Sequence, residues 1–178
     1  MTEAEDPVAR LKARIKERGW GTAVDETLSF NQPELRSLLE VWRAKADALD
    51  DLPRREDLDM RLLKPFLRHL SVSERVDLGG RSSYRLRLQG STMADYFGSQ
   101  TGKLLEEAAP PELAERWIAC YDALLEARRP LRLVGTYDKG KLDYLVAETL
   151  AVPLGNGDAP PNSILAATYY TPRHKGRD

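Results

Sequence analysis

A chain that carries out covalent chemistry must bring nucleophiles, acids, bases or metal ligands together, and this sequence offers few of them. It has a single cysteine, Cys120, and two distant histidines, His69 and His174. One cysteine makes no internal disulfide, and with two separated histidines it makes no metal site. There is no Gly-x-Ser-x-Gly turn and no recognisable Ser/His/acid set. Gly102-Lys103 and Gly140-Lys141 lack the spaced glycine of a phosphate loop, so both read as turns. Haem binding would ask for an axial ligand, typically a histidine on the long helix at 111–128. That segment has none; His69 and His174 read as capping or surface residues.

Two residues hold more interest. Glu148 interrupts the apolar run Leu145-Val146-Ala147-Glu148-Thr149-Leu150. If it points inward it needs a donor, because an unpaired buried carboxylate is very costly. Arg87 or Arg132 would serve. Three roles stay open for Glu148: an outward side chain, a buried pair that fixes sheet register, or a polar ligand contact. Cys120 lies beside Tyr121 in a helix and reads as packing material. A redox-sensing role would require exposure and a lowered pKa.

The elements that position these residues follow from periodicity. Residues 7–18 predict a helix with Asp6 at the cap and Pro7 in the first turn, after a frayed acidic start at 1–6. Val8, Leu11 and Ile15 share one face, ringed by Arg10, Lys12, Arg14, Lys16 and Arg18. That stripe docks on the domain or on a second copy. A basic arm for nucleic acid is the competing reading, opposed by flanking acids and the lack of interleaved aromatics. Gly19 and Gly21 stop the helix. Residues 33–49 predict a stronger helix, with Leu35, Leu38, Leu39, Trp42 and Ala46 at helical spacing.

The period then changes to two. Residues 69–76 and 83–89 predict a hairpin turning at 77–80, with Tyr84, Leu86 and Leu88 on one side of its second strand. A short helix at 92–97, a turn from Thr101 and a full helix at 111–128 follow. The last third predicts strands at 130–137, 142–154 and 163–171, with a turn at 138–140 and a loop at 155–161. This order predicts an α+β domain whose antiparallel sheet is covered by helices.

Bulk composition agrees with a folded, water-soluble chain. Of 178 residues, 42% are hydrophobic and 31% charged, and the net charge is −1, so charge alone draws the protein to neither nucleic acid nor an anionic membrane. No segment approaches the roughly 20 apolar residues of a membrane helix, and the N-terminus lacks a signal-peptide core. A cytoplasmic location is expected by default.

Beyond periodicity, an ordered set of short motifs stands out. These are Leu39 with Trp42; Pro53-Arg54-Arg55 with Asp57 and Asp59; Tyr84-Arg85-Leu86-Arg87-Leu88-Gln89-Gly90-Ser91; Tyr96-Phe97-Gly98 with Thr101-Gly102; Arg129-Pro130; and Glu148 leading to Val152-Pro153-Leu154. In order and spacing this set resembles a family of short stand-alone bacterial PAS proteins common in alphaproteobacteria, across residues 38–170. The sequence departs from the family pattern at Met60, where a proline is usual, and at Ser91, where threonine is usual.

The resemblance implies a PAS-like, five-stranded antiparallel sheet with helices over one face and a pocket between them. An N-terminal helical extension (1–52) would precede the PAS-like domain (53–172) and a charged tail (173–178). It also implies signalling rather than catalysis, with the signal passed in trans to a protein partner. A flavin photosensor would place its reactive cysteine before the long helix, and Cys120 lies inside it. Pocket candidates from the apolar stripes are Tyr84, Leu86, Leu88, Phe97, Leu105, Trp117, Tyr121, Leu133, Ala147 and Ala166, with Glu148 as the polar contact; all the apolar ones also suit an ordinary core. No cofactor is assigned. A small-molecule ligand, a signalling partner and a homodimer through the N-terminal helices are expected, with no nucleic acid and no membrane. A ligandless adaptor and an isomerase-like enzyme built on Glu148 are the alternatives.

Overall fold

The computed structural model describes residues 5–137 and 142–173. The expected turn at 138–140, the Gly140-Lys141 pair, His174, most of the tail and the first four residues of the acidic start lie outside the described residues.

Helix α1 (Pro7–Arg18) begins where Asp6 accepts a hydrogen bond from the Ala9 amide at 3.1 Å, and it ends on Gly19 in the left-handed conformation. Its stripe packs on the long helix α6 (Pro111–Ala127): Leu11, Ile15 and Trp20 bury against Ala119, Cys120 and Ala123. The arginines around the stripe meet acids, Arg10 with Glu126 at 2.6 Å and Arg14 with Glu115 at 2.9 Å. The chain then forms β1 (Thr22–Asp25), a strand that the sequence reading did not anticipate.

Helix α2 (Pro33–Leu49) buries Leu35, Leu38, Leu39 and Trp42 in its own chain's core. The apolar faces expected to pair two copies are thus covered within one molecule. Short helical turns at Arg55–Asp57, α3 (Met60–Leu63) and Lys64–His69 lead into the hairpin of β2 (Leu70–Asp77) and β3 (Ser82–Gln89). Gly90 follows. A Cβ there would lie 2.3 Å from the Arg68 carbonyl oxygen, so only glycine lets the two backbones cross. Helices α4 (Ser91–Phe97), α5 (Leu105–Ala108) and α6 come next, then β4 (Leu131–Thr136), β5 (Leu145–Asn156) and β6 (Ala159–Pro172). The expected loop at 155–161 is a tight β5–β6 turn through Gly157, whose φ is 63°.

All neighbouring strands are antiparallel, in the order β1-β4-β5-β6-β2-β3. The sheet therefore has six strands, not five. The sixth is β1, added to the free edge of β4, with Val24 opposite Leu133 and Asp25 opposite Arg132. The early hairpin and the last three strands belong to one sheet, joined where β2 pairs with β6.

Helices cover both faces of this sheet rather than one. Leu70, Val72, Leu150, Val152, Leu154 and Leu165 pack against α2. The alternate residues Tyr84, Leu131, Ala151, Ile164 and Ala166 pack with α6. That split is the period-two geometry of a strand buried on both sides. Pro153 sits in β5 beyond the last β4 partner, where no neighbouring carbonyl awaits its missing N–H. Its own carbonyl accepts the Trp42 indole N–H at 3.1 Å, which ties α2 to the sheet.

Candidate functional site

Between the sheet and α6 lies a cavity of about 70 Å³. With a water's share of liquid volume at about 30 Å³, it has room for about two waters. Its floor comes from inward positions on five strands: Ser71 and Ser73 on β2, Leu86 on β3, Leu133 and Gly135 on β4, Ala147 and Thr149 on β5, Thr168 and Tyr170 on β6. Thr22 of β1 closes one side. The roof is Met93, Leu105 and one face of α6: Arg116, Trp117, Cys120 and Tyr121, with Tyr137 alongside. The space exists because small side chains (Ser71, Ser73, Gly135, Ala147) stand on the floor where large ones would fill a core.

The polar lining is mostly neutral hydroxyl. Thr149 and Thr168 hydrogen-bond each other across β5 and β6 at 2.9 Å. Ser73 is 2% exposed, and its Oγ lacks a well-formed hydrogen bond, although it stands near enough to the Tyr121 hydroxyl to favour that group's ionised form. Burial dominates and pushes Tyr121 up to about 12. Burial likewise raises Tyr170, which also shares a hydrogen bond with Tyr137, and it raises Tyr137 against the pull of the Arg116 charge. The Cys120 thiol is pushed up to about 12 by burial, with Arg116 opposing. All of these groups are neutral near pH 7.

Arg116 is the charged member of the described lining. It is 9% exposed, it donates to the Thr136 carbonyl at 3.3 Å, and its guanidinium lies 6.0 Å from the centre of the Tyr137 ring. An aromatic belt closes the same end. Phe97 contacts the rings of Trp117, Tyr137 and Tyr170 at centroid distances of 5.8, 5.9 and 6.4 Å. The described lining holds no carboxylate and no imidazole, so the cavity can hydrogen-bond, stack and pair with charge.

Of the residues expected in a pocket, Leu86, Leu105, Trp117, Tyr121, Leu133 and Ala147 line this cavity. Phe97 stands in the aromatic belt beside it. Tyr84 is fully buried next to Tyr121 and donates to Asp122 at 2.8 Å, and Ala166 packs in the same cluster without lining the space. Leu88 goes elsewhere. A bulge between Val72 and Ser73 pairs Val72 with Leu88 and Ser73 with Leu86, leaving Arg87 as the extra residue. The extra residue turns Leu88 to the α2 face while Leu86 stays on the α6 face.

Glu148 is not a ligand contact of this cavity. It sits on the α2 face, 6% exposed, and accepts hydrogen bonds from the Asn31 amide at 2.8 Å, the Gln32 amide at 3.0 Å and Arg132 Nε at 2.7 Å. Arg132 also reaches Asp25 at 3.3 Å. Of the two donors expected for Glu148, Arg132 serves it; Arg87 pairs with Glu74. Glu148 is thus a buried, fully partnered register pin that joins β5 to β4 and to the start of α2.

The other candidates also settle into structural places. Cys120 is buried with a raised pKa, the opposite of what redox sensing requires. His69 stacks on Tyr169 at 3.8 Å and meets the Thr168 carbonyl through Nδ1. Among the described residues, no group of three or more potential ligands could hold a metal ion, and no helix is long and apolar enough to cross a membrane.

Sequence reasoning missed the polar half of the site. Arg116 carried a usable signal: with Ala119, Cys120 and Ala123 it falls at spacings of three, four and seven, so a cation shares the buried stripe of α6. Ser71, Ser73, Thr149 and Thr168 carried a second, as polar residues alternating with Leu70, Val72, Leu150 and Ala167 in strands buried on both faces. No protein-family model matches the chain, and no curated protein matches it.

Proposed function

We propose that this protein is a PAS-like sensory domain that holds a small molecule between its sheet and α6 and passes the resulting signal to a separate protein. The observation that carries this reading is the cavity itself: a largely apolar space with several hydroxyls and one cation in its wall, where a purely structural domain would place close-packed side chains. One antiparallel sheet uniting the early hairpin with the last three strands supports the resemblance on which the PAS-like reading rests. Ligand binding would act through α6, α4 and the β1 edge, which meet around the space. A ligand shifts such a domain only by binding one conformation more tightly than another. The isomerase-like alternative loses its best acid, because Glu148 faces away from the cavity and is fully partnered.

A ligandless adaptor is the second reading, and the small cavity volume favours it. Native mass spectrometry of gently purified protein separates the two. A released small molecule, or a saturable rise in Tm with members of a small-molecule panel, is the expected result. A bare-chain mass together with no Tm response across the panel would leave the adaptor reading in place.

A further inference from the structure

We infer that the cavity's ligand is a small organic anion, a monocarboxylate of short chain, and that Arg116 is its counter-ion. This rests on the ligand-binding reading above. Arg116 is nine-tenths buried, yet among the described residues it forms no ion pair and has one hydrogen-bond acceptor, the neutral Thr136 carbonyl at 3.3 Å. A guanidinium has five N–H donors and does not shed its proton in proteins, so it cannot escape burial by becoming neutral. A buried cation left unpaired is costly, and a carboxylate is the group that removes that cost bidentately.

The surroundings fit the rest of such a ligand. Ser73 offers a buried hydroxyl without a well-formed bond, and the Tyr121 hydroxyl stands near it. Leu86, Leu133, Ala147 and Trp117 supply an apolar wall for a short carbon chain. With room for about two waters at about 30 Å³ each, the cavity limits the ligand to the smallest organic acids, of the bulk of acetate, with propionate at the upper limit. Arg116 and Tyr137 also line an outer groove with Trp20, Gly21 and Glu112, so they stand between the cavity and solvent. Glu112, one turn before Arg116 on α6, lines that groove without pairing with the arginine.

The test titrates the intact protein with sodium propionate, its neutral isostere propionamide and propylammonium chloride at matched ionic strength. Binding is read by calorimetry and by Tm. Propionate should bind saturably, and at least 10-fold more tightly than propionamide; propylammonium should not bind. Arg116→Met should keep the wild-type circular dichroism and lose propionate binding by 10-fold or more, while Arg116→Lys keeps part of it. Propionamide binding as tightly as propionate, or Arg116→Met binding propionate unchanged, would overturn the charge assignment and leave the ligand-binding reading standing. No binding by any of the three, with no co-purifying mass, would remove both.

Discussion

Arg132 and Arg116 are both largely buried arginines, held against opposite faces of the same sheet. On the α2 face, Arg132 meets Glu148 at 2.7 Å and Asp25 at 3.3 Å, and Glu148 takes two backbone amides as well. On the α6 face, Arg116 finds one neutral carbonyl and one ring among the described residues. Burial is similar and satisfaction is not. The first face is finished as a fold; the second keeps an open charge, an under-used Ser73 hydroxyl and empty volume beside it. The contrast teaches where to look for function in a small domain. A buried charge whose partners are all accounted for holds the structure together, whereas one with no ion pair among the described residues is the place to test for a ligand.

The largest effect should come from breaking the finished face. Glu148→Ala leaves Arg132 with Asp25 alone and the Asn31 and Gln32 amides without their acceptor, so urea denaturation should show a loss of about 3 kcal/mol. A loss below about 1 kcal/mol would mean that the pair is not the structural pin described.

A smaller effect should appear in alkali from the cavity face. Tyr121 holds its proton up to about pH 12 when folded and loses it near 10 when unfolded. Stability is therefore intact below pH 10 and falls as pH rises from 10 to 12, by on the order of 1 kcal/mol at pH 11 from this residue. Tyr121→Phe should flatten that decline. Cys120, raised in the same direction, should resist a thiol reagent at pH 8 in the native protein and react once it is unfolded.

The smallest change should follow from Ser73→Ala. Removing a buried hydroxyl that lacks a well-formed partner should alter stability by no more than about 1 kcal/mol, toward greater stability, because its desolvation cost disappears. A clear destabilisation would show that Ser73 is as fully used as Glu148, and the two faces would then no longer differ in kind.

Much of the architecture was legible beforehand because it rests on long periodic signals. Helices α1, α2 and α6 fall where apolar spacing and the Pro and Gly boundaries put them, and the alternation of residues 83–89 marks β3. Strand β1 was not legible, since four residues after two glycines carry too short a pattern. Nor was the β5–β6 turn, because Pro160 and Pro161 read as loop, whereas the structure carries them at the open end of a strand. The bulge at Val72/Ser73 is likewise invisible in the sequence, and it alone moved Leu88 off the cavity. Of the residues named from the apolar stripes, Leu86, Leu105, Trp117, Tyr121, Leu133 and Ala147 line the cavity, whereas Tyr84, Leu88, Phe97 and Ala166 do not. Arg116 was passed over because a cation near a helix surface is ordinarily solvated, and only the placement of α1 and β1 shows that this one is covered.

The clasp made by residues 5–32 has a practical consequence. A chain trimmed to begin at Pro53 would still carry five strands, yet it would lose Thr22 from the cavity wall, Leu11 and Ile15 from over Cys120, and the two amides that hold Glu148. It would also bare the hydrogen-bonding edge of β4 that β1 now occupies. Such an edge invites a second chain to add on, and the loss of α2 bares the apolar sheet face it covered, so the shortened protein would be prone to self-association and would not present the ligand space of the full chain.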